Sequence, residues 1–273
     1  MPDGNSERQY HIGLAPGEVA QTILLCGDPA RARMIAARFD DCAGEIAHRE
    51  YVTITGTYGG QPVSVMATGI GCDNTEIAVV ELCRLVEKPT LLRLGSCGGI
   101  APETEIGDLC ISTAALRLET TSLAFVDEGF PAVAHHECLL AAMTAADRLG
   151  KTTHVGITAT APGFYGAQGR MDDPVFPSRF PERLPHLRGQ GVVNMEMESS
   201  TLFTLASLAG ARAGTICVVY ANREKGIFAD EAQRPALQED LIAVGLESLK
   251  VLAAMDSERN EQGEWIPPCL KSS

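Results

Sequence analysis

A chain of 273 residues, 45% of them hydrophobic, is long enough to bury one large core and suits a single α/β domain over residues 1–273. Acidic residues outnumber basic ones by 35 to 22, a formal charge of −13, which argues against a nucleic-acid groove or an anionic membrane surface and requires any anion site to be built locally. Nine cysteines scattered singly from Cys26 to Cys269, with no C-x-x-C pair, suggest neither a disulfide framework nor a zinc ribbon and suit a reducing cytoplasm. No apolar run approaches the roughly 20 residues that span a bilayer, and no charged-then-apolar leader is expected before the first strand.

In chain order, the patterning predicts a strand at Thr22–Cys26, a helix from about Ala30 to Phe39, and strands near Tyr51–Thr55 and Val63–Ala67. A helix from about Asn74 to Val86 follows, then strands at Thr90–Leu94 and Leu109–Ala114, a helix from about Glu137 to Leu149 and a strand near His154–Ala159. Val192–Met197 reads as a buried strand feeding a helix to about Ala209, and Thr215–Tyr220 as another strand. Leu237–Met255 has helical spacing, with Pro235 suited to its first turn. There is no internal repeat, and residues 256–273 read as a loose tail.

Two glycine-rich segments sit where an open α/β sheet places ligands, just after strands. In the first, Gly27-Asp28-Pro29, Gly27 allows close backbone approach, Pro29 opens a helix and Arg31 falls in its first turn; the segment reads as an anion cradle or as a plain strand-to-helix turn. In the second, Arg93 interrupts an apolar strand before a turn, Gly95-Ser96-Cys97-Gly98-Gly99. A buried guanidinium needs a partner, either a carboxylate of the protein or a bound anion, and Ser96 beside it favours the anion.

Phe164-Tyr165-Gly166-Ala167-Gln168-Gly169-Arg170 gathers an aromatic ring, an amide and a guanidinium that together suit a pyrimidine: Gln168 offers a donor and an acceptor, Arg170 donors and charge, and Phe164 a stacking face. Glu196 and Glu198 share one face of an extended segment, which is consistent with glycosidase-type chemistry, a metal pair or sugar-hydroxyl acceptors; Glu198 also suits a helix start. Gly69-Ile70-Gly71 lacks the third glycine of a dinucleotide fingerprint, there is no Walker A, G-x-S-x-G or H-E-x-x-H motif, and His135-His136-Glu137 reads as a helix start.

In order along nearly the whole chain, His11-Ile12-Gly13-Leu14, Gly27-Asp28-Pro29 with Arg31, His48-Arg49-Glu50, Thr68-Gly69-Ile70-Gly71, Arg93-Leu94-Gly95-Ser96-Cys97-Gly98, Phe164 through Arg170, Glu196-Met197-Glu198-Ser199 and Asn222-Arg223 resemble the nucleoside phosphorylase superfamily, and within it the uridine phosphorylases. The resemblance implies a single α/β domain with a central mixed twisted sheet flanked by helices. It implies phosphorolysis of uridine to uracil and ribose 1-phosphate, with phosphate held by Gly27, Arg31, Arg93, Ser96 and a neighbouring subunit's Arg49. Phe164, Gln168, Arg170 and Arg223 would hold the base; Glu196, Met197, Glu198 and a neighbour's His11 would hold the ribose; and Arg170, Gln168, Glu198 and Arg93 would carry the catalysis. No metal or cofactor is implied, phosphate being a substrate. A homo-oligomer is implied, at least a dimer and in the family commonly a hexamer, located in the cytoplasm. A stretch from Glu224 to Phe228 suits a lid or a plain connection.

This chain departs from the family in three places. Asp73-Asn74 stands where relatives often carry Pro-Ser, which weighs against the monovalent cation that some relatives hold between subunits near Glu50 and Ile70. Ser96-Cys97 resembles the purine branch. Tyr220-Ala221 replaces an aliphatic pair near the base. In purine-cleaving relatives an Asp near the last strand meets the purine, whereas Asn222 stands here. The competing readings are a purine nucleoside phosphorylase, a nucleosidase that uses water, and a non-catalytic nucleoside-binding paralogue.

Overall fold

The computed structural model describes residues 8–170 and 173–270, so the last three residues of the expected tail lie outside the described residues. The strands are β1 (Thr22–Cys26), β2 (Asp41–His48), β3 (Tyr51–Tyr58), β4 (Gln61–Ala67), β5 (Thr90–Gly99), β6 (Leu109–Arg117), β7 (Ala132–Val133), β8 (Thr153–Thr160), β9 (Val192–Glu196), β10 (Arg212–Asn222) and β11 (Ile227–Phe228). The helices are α1 (Pro29–Ala36), α2 (Cys72–Leu85), α3 (His136–Arg148), α4 (Arg183–Gly189), α5 (Ser199–Ala209) and α6 (Arg234–Ser257).

All these strands join one mixed sheet. An arm runs β2-β3-β4-β1 onto β5, and from β5 the sheet continues through β10, β6, β8 and β9. β9 then pairs back onto β5, with Gly98 opposite Met195 and Gly99 opposite Asn194, so five strands close into a ring. β5 belongs to both parts: Thr90–Arg93 align with β1, while its far end meets β9. The alternation of a strand sorts its side chains onto two faces. Leu92 and Leu94 pack with Ile216, Val218 and Leu241 on one side, and Leu91 with Ile23, Leu25, Leu202 and Phe203 on the other. Inside the ring Cys97, Cys110, Cys217 and Val219 form a small apolar plug.

The expected turn at Gly95–Gly99 is instead strand, because β10 runs alongside it as far as Gly99. Its glycines serve close approach. A Cβ on Gly95 would lie 2.8 Å from Cys217 Sγ and 2.9 Å from Arg93 Nη2, and one on Gly99 would lie 2.1 Å from Thr104 Oγ1. The expected strand turn at Gly27 holds, with Asp28 capping α1 by accepting from the Ala30 N–H at 2.8 Å and Pro29 in the first turn.

The start of the expected tail is anchored rather than loose: residues 256 and 257 complete α6, Asp256 accepts from Arg212 at 2.7 and 2.9 Å, and Trp265 packs against the cluster of Cys138, Val251 and Met255. Arg259 donates to buried Glu137 at 2.9 and 2.5 Å, and Arg212 donates to the same carboxylate at 2.8 Å. Burial alone would raise the Glu137 pKa, but Arg259 and Arg212 outweigh it and hold it down at about 2. This depressed value means that Glu137 contributes stability fully above its unfolded value of 4.5 and loses it as pH falls toward about 2. Glu137→Gln is expected to lose about 2–3 kcal/mol near neutral pH. In urea unfolding, the gap between variant and wild type should narrow as pH drops below 4.5; a gap that is constant with pH would contradict the assignment.

Candidate active site

One cavity of about 940 Å3 opens at the ends of β1, β4, β5 and β10. It gathers most of the sequence-predicted residues: Gly27, Arg31, Arg93 and Ser96, then Phe164, Gln168 and Arg170, then Glu196, Met197 and Glu198. His11, Arg49 and Arg223 are not part of its lining.

Gly27 and Gly69 follow the ends of β1 and β4, and their backbones touch. The Gly69 N–H donates to the Gly27 carbonyl at 3.1 Å, and a Cβ on Gly27 would lie 3.1 Å from the Gly69 oxygen. Arg31 is buried on α1 and held at two points, its Nε donating to Gln238 Oε1 and its Nη1 to the Leu94 carbonyl, both at 3.1 Å. These bonds use two of its five N–H donors.

Arg93 resolves the choice left open by its sequence. Its Nε donates to Glu196 at 3.3 Å and its Nη2 to Glu198, so its partners are carboxylates of the protein rather than an anion alone. The physical reason is the cost of leaving a guanidinium unpaired in a site where Arg93 is 5% exposed. Burial pulls the Arg93 pKa down, yet Glu198 and Glu196 turn the net shift upward. Glu198 moves the other way from a free carboxylate: burial raises it and Glu196 adds to the rise, while Arg93 offsets part of both.

The two glutamates divide their work differently from the sequence expectation. Glu198 occupies the N-cap position of α5, but its side chain makes no capping bond; it accepts from the Gly71 N–H at 2.7 Å, just before α2. Glu196 is the carboxylate that tethers the start of α5, accepting from the Glu198 N–H at 2.9 Å and the Ser199 N–H at 3.0 Å. Thr160 also donates to Glu196 at 2.7 Å, so with Arg93 both of its oxygens are engaged.

The 164–170 segment folds into a tight turn around Gly166–Gln168. Gly169, at φ 66°, reverses the chain where a Cβ would strike the Phe180 oxygen at 2.5 Å. This buries Gln168 and brings Arg170 back beside it. The Gln168 Oε1 accepts from Arg170 Nε at 3.0 Å and from Arg223 Nη1 at 3.1 Å. The expectation that Gln168 offers a ligand both a donor and an acceptor is therefore corrected: two guanidinium groups claim the amide oxygen, and its NH2 group remains. Arg223 reaches the site through Gln168 rather than by lining the cavity. Burial and its neighbour Arg170 lower the Arg223 pKa to about 10, and burial lowers that of Arg170. The Arg170 guanidinium also lies 4.2 Å from the Phe164 ring centroid, so one face of that ring is already covered.

His11 and Arg49 lie outside the cavity lining. The His11 ring and backbone N–H both bond Glu81, the ring at 2.8 Å, and the His11 carbonyl faces the His48 ring at 2.7 Å. Arg49, at φ 54° in the β2–β3 turn, lies over Tyr10 at 5.0 Å. The suggested lid is a hairpin: β11 pairs with the end of β10, Ala221 opposite Phe228, and Phe228 lines the cavity mouth. Asn222 turns away from the cavity, its amide donating to Thr104 O at 2.6 Å.

Four further lining residues were not expected as site residues, and Arg234 was not singled out in the sequence at all. Asn74, Cys97, Phe228 and Arg234 reach the cavity because α2 and α6 start there and β5 and β11 end there. Pro235 marks the α6 start, and it was the one available hint to Arg234 beside it. Among the described residues no cluster of three or more His, Cys, Asp or Glu side chains is arranged to hold a metal ion, and no helix is long and apolar enough to cross a membrane.

Comparison with known proteins gives the family. Residues 21–255 match the Phosphorylase superfamily. The chain is 44% identical over 270 residues to a protein named uridine phosphorylase from Thermococcus kodakarensis, covering 97% of this chain and 95% of that protein. It is 40% identical over 220 residues to the uridine phosphorylase of Escherichia coli, covering 78% and 86% of the two chains. A DeoD-type purine nucleoside phosphorylase from Roseobacter denitrificans is more distant, at 32% over 240 residues covering 87% and 97%. With a family match over residues 21–255 and relatives more than 30% identical across most of its length, this chain belongs to the phosphorylase superfamily.

Proposed function

We propose that the cavity catalyses reversible phosphorolysis of uridine, with inorganic phosphate as the second substrate and uracil and ribose 1-phosphate as products. The observation that carries this reading is the donor-rich wall at one end of the cavity. With its oxygen held by Arg170 and Arg223, Gln168 presents N–H groups beside those of Arg170. Two adjacent donors match the carbonyl oxygens of a 2,4-dioxopyrimidine and oppose the amino group that cytosine carries. The names of the similar proteins support the same base.

At the other end Gly27, Arg31, Arg93 and Ser96 hold phosphate, using the guanidinium donors that their protein partners leave free. Each charge-assisted contact is worth roughly 1.5–3 kcal/mol. A phosphate oxygen bonds to C1′ as the C1′–N1 bond breaks, and the bonding pair leaves with uracil, which is protonated from water. The sugar passes through an oxocarbenium-like state stabilised by the phosphate charge, while Arg170 and Gln168 meet the charge growing on the base. Glu198 accepts from the ribose hydroxyls with Met197 beneath the sugar, and Glu196 supports both by fixing Arg93 and the start of α5. The reaction needs no cofactor in this reading.

His11 and Arg49 complete the site of a neighbouring subunit, His11 near the 5′-hydroxyl and Arg49 on the phosphate. The smallest complete unit is then a dimer, assembled further into a hexamer in the cytoplasm. The position of both residues outside their own chain's cavity supports this arrangement. In ultraviolet-monitored assays with phosphate, uridine is expected to be cleaved at least about 100-fold more efficiently than inosine, in keeping with unpaired polar groups in the wrong complex. Inosine cleaved as well as uridine would move the chain to the purine branch.

A further inference from the structure

Arg234 opens α6, is exposed, and lines the substrate cavity. Residues four apart share a helix face, so it lies on the same face as Gln238, whose Oε1 receives Arg31 Nε at 3.1 Å. Arg234 is thus on the Arg31 side of the cavity. Among the described residues it has no ion pair or hydrogen-bond partner, unlike Arg31 and Arg93 deeper in the cavity. The nearby carboxylate of Asp28, which also lines the cavity, is engaged with the Ala30 N–H. An exposed cation with no such partner among the described residues therefore stands at a cavity in a protein of formal charge −13, whose overall field repels a phosphate dianion.

We propose that Arg234 draws inorganic phosphate to the cavity mouth and passes it to Arg31, making it a phosphate-selective residue that does not act on the nucleoside. The inference rests on the phosphorolysis reading. An exposed charge acts through a screened field, so its effect fades as the Debye length shrinks from about 20–30 Å near 0.01–0.02 M salt to below about 8 Å above 0.15 M.

The test is steady-state kinetics of the intact protein with phosphate varied at saturating uridine, at low and at high ionic strength. Arg234→Gln is expected to lower kcat/KM for phosphate by about 5–10-fold at low salt, within the range of electrostatic steering, with kcat and the KM for uridine changed less than about 2-fold. The deficit should shrink at high salt, and Arg234→Lys should retain most of the wild-type value. A wild type that requires phosphate, with an Arg234→Gln variant of unchanged kcat/KM for phosphate or a deficit indifferent to salt, overturns the role of Arg234 alone. Uracil release by the wild type without phosphate overturns the phosphorolysis reading itself.

Discussion

Arg170→Ala is expected to lower kcat for uridine phosphorolysis by about 10²–10³, the loss typical of removing one preorganised donor from a site where charge develops. The side chain is placed for that role by two contacts, its Nε on Gln168 at 3.0 Å and its guanidinium over Phe164 at 4.2 Å. Burial pulls its pKa down, so its charge is held in a poorly solvated position where it interacts strongly with an anionic base. The substitution also removes one of the two donors that orient the Gln168 amide, leaving Arg223 as the other. Arg170→Lys keeps the charge without the planar fork and should fall between wild type and alanine. The measurement is kcat and KM for uridine at saturating phosphate. A loss confined to KM would mean that Arg170 binds uridine and its transition state equally, contradicting the catalytic role.

Arg93→Met should produce the other large effect, on stability as well as activity. It leaves Glu196 and Glu198, both nearly fully buried, without the cation that separates them. Removing one partner of a buried ion pair costs about 3–5 kcal/mol. For a chain of this length each kcal/mol moves Tm by about 2–4 °C, so a fall on the order of 10 °C is expected. Glu198→Gln in the same chain should recover part of that loss by removing one stranded charge, and the recovery distinguishes charge stranding from lost packing. Turnover should stay low in both variants, because phosphate has lost a donor. A melting temperature unchanged by Arg93→Met would show that the carboxylates find other partners.

The buried strands were the most legible part of the fold. Thr22–Cys26 is predicted with the observed bounds because nearly every residue of β1 is buried, giving a continuous apolar run. Asp41–His48 gives no such signal: almost all of β2 is exposed at an edge of the sheet, and only pairing with β3 makes it a strand. α4 is equally silent, a seven-residue helix with Pro185 inside it and Leu187 as its buried residue. The closed ring depends on two register pairs between β9 and β5, contacts between segments about a hundred residues apart that no local pattern encodes.

In the site, residue types were legible and partnerships were not. Phe164, Gln168 and Arg170 are neighbours in sequence and share the cavity. That Arg223 would claim the Gln168 oxygen depends on the end of β10 meeting a turn more than fifty residues earlier. Arg93 announces a buried charge, but which group answers it is decided where β5 and β9 meet. Arg234 illustrates the limit: an arginine before a proline looks like any helix start until α6 is packed against α1.

The most direct test of phosphorolysis is to incubate the protein with uridine, with and without inorganic phosphate, and follow uracil by ultraviolet absorbance and the sugar product by phosphorus NMR. The expected result is uracil release only when phosphate is present, matched mole for mole by ribose 1-phosphate. Uracil accompanied by free ribose in phosphate-free buffer would contradict it.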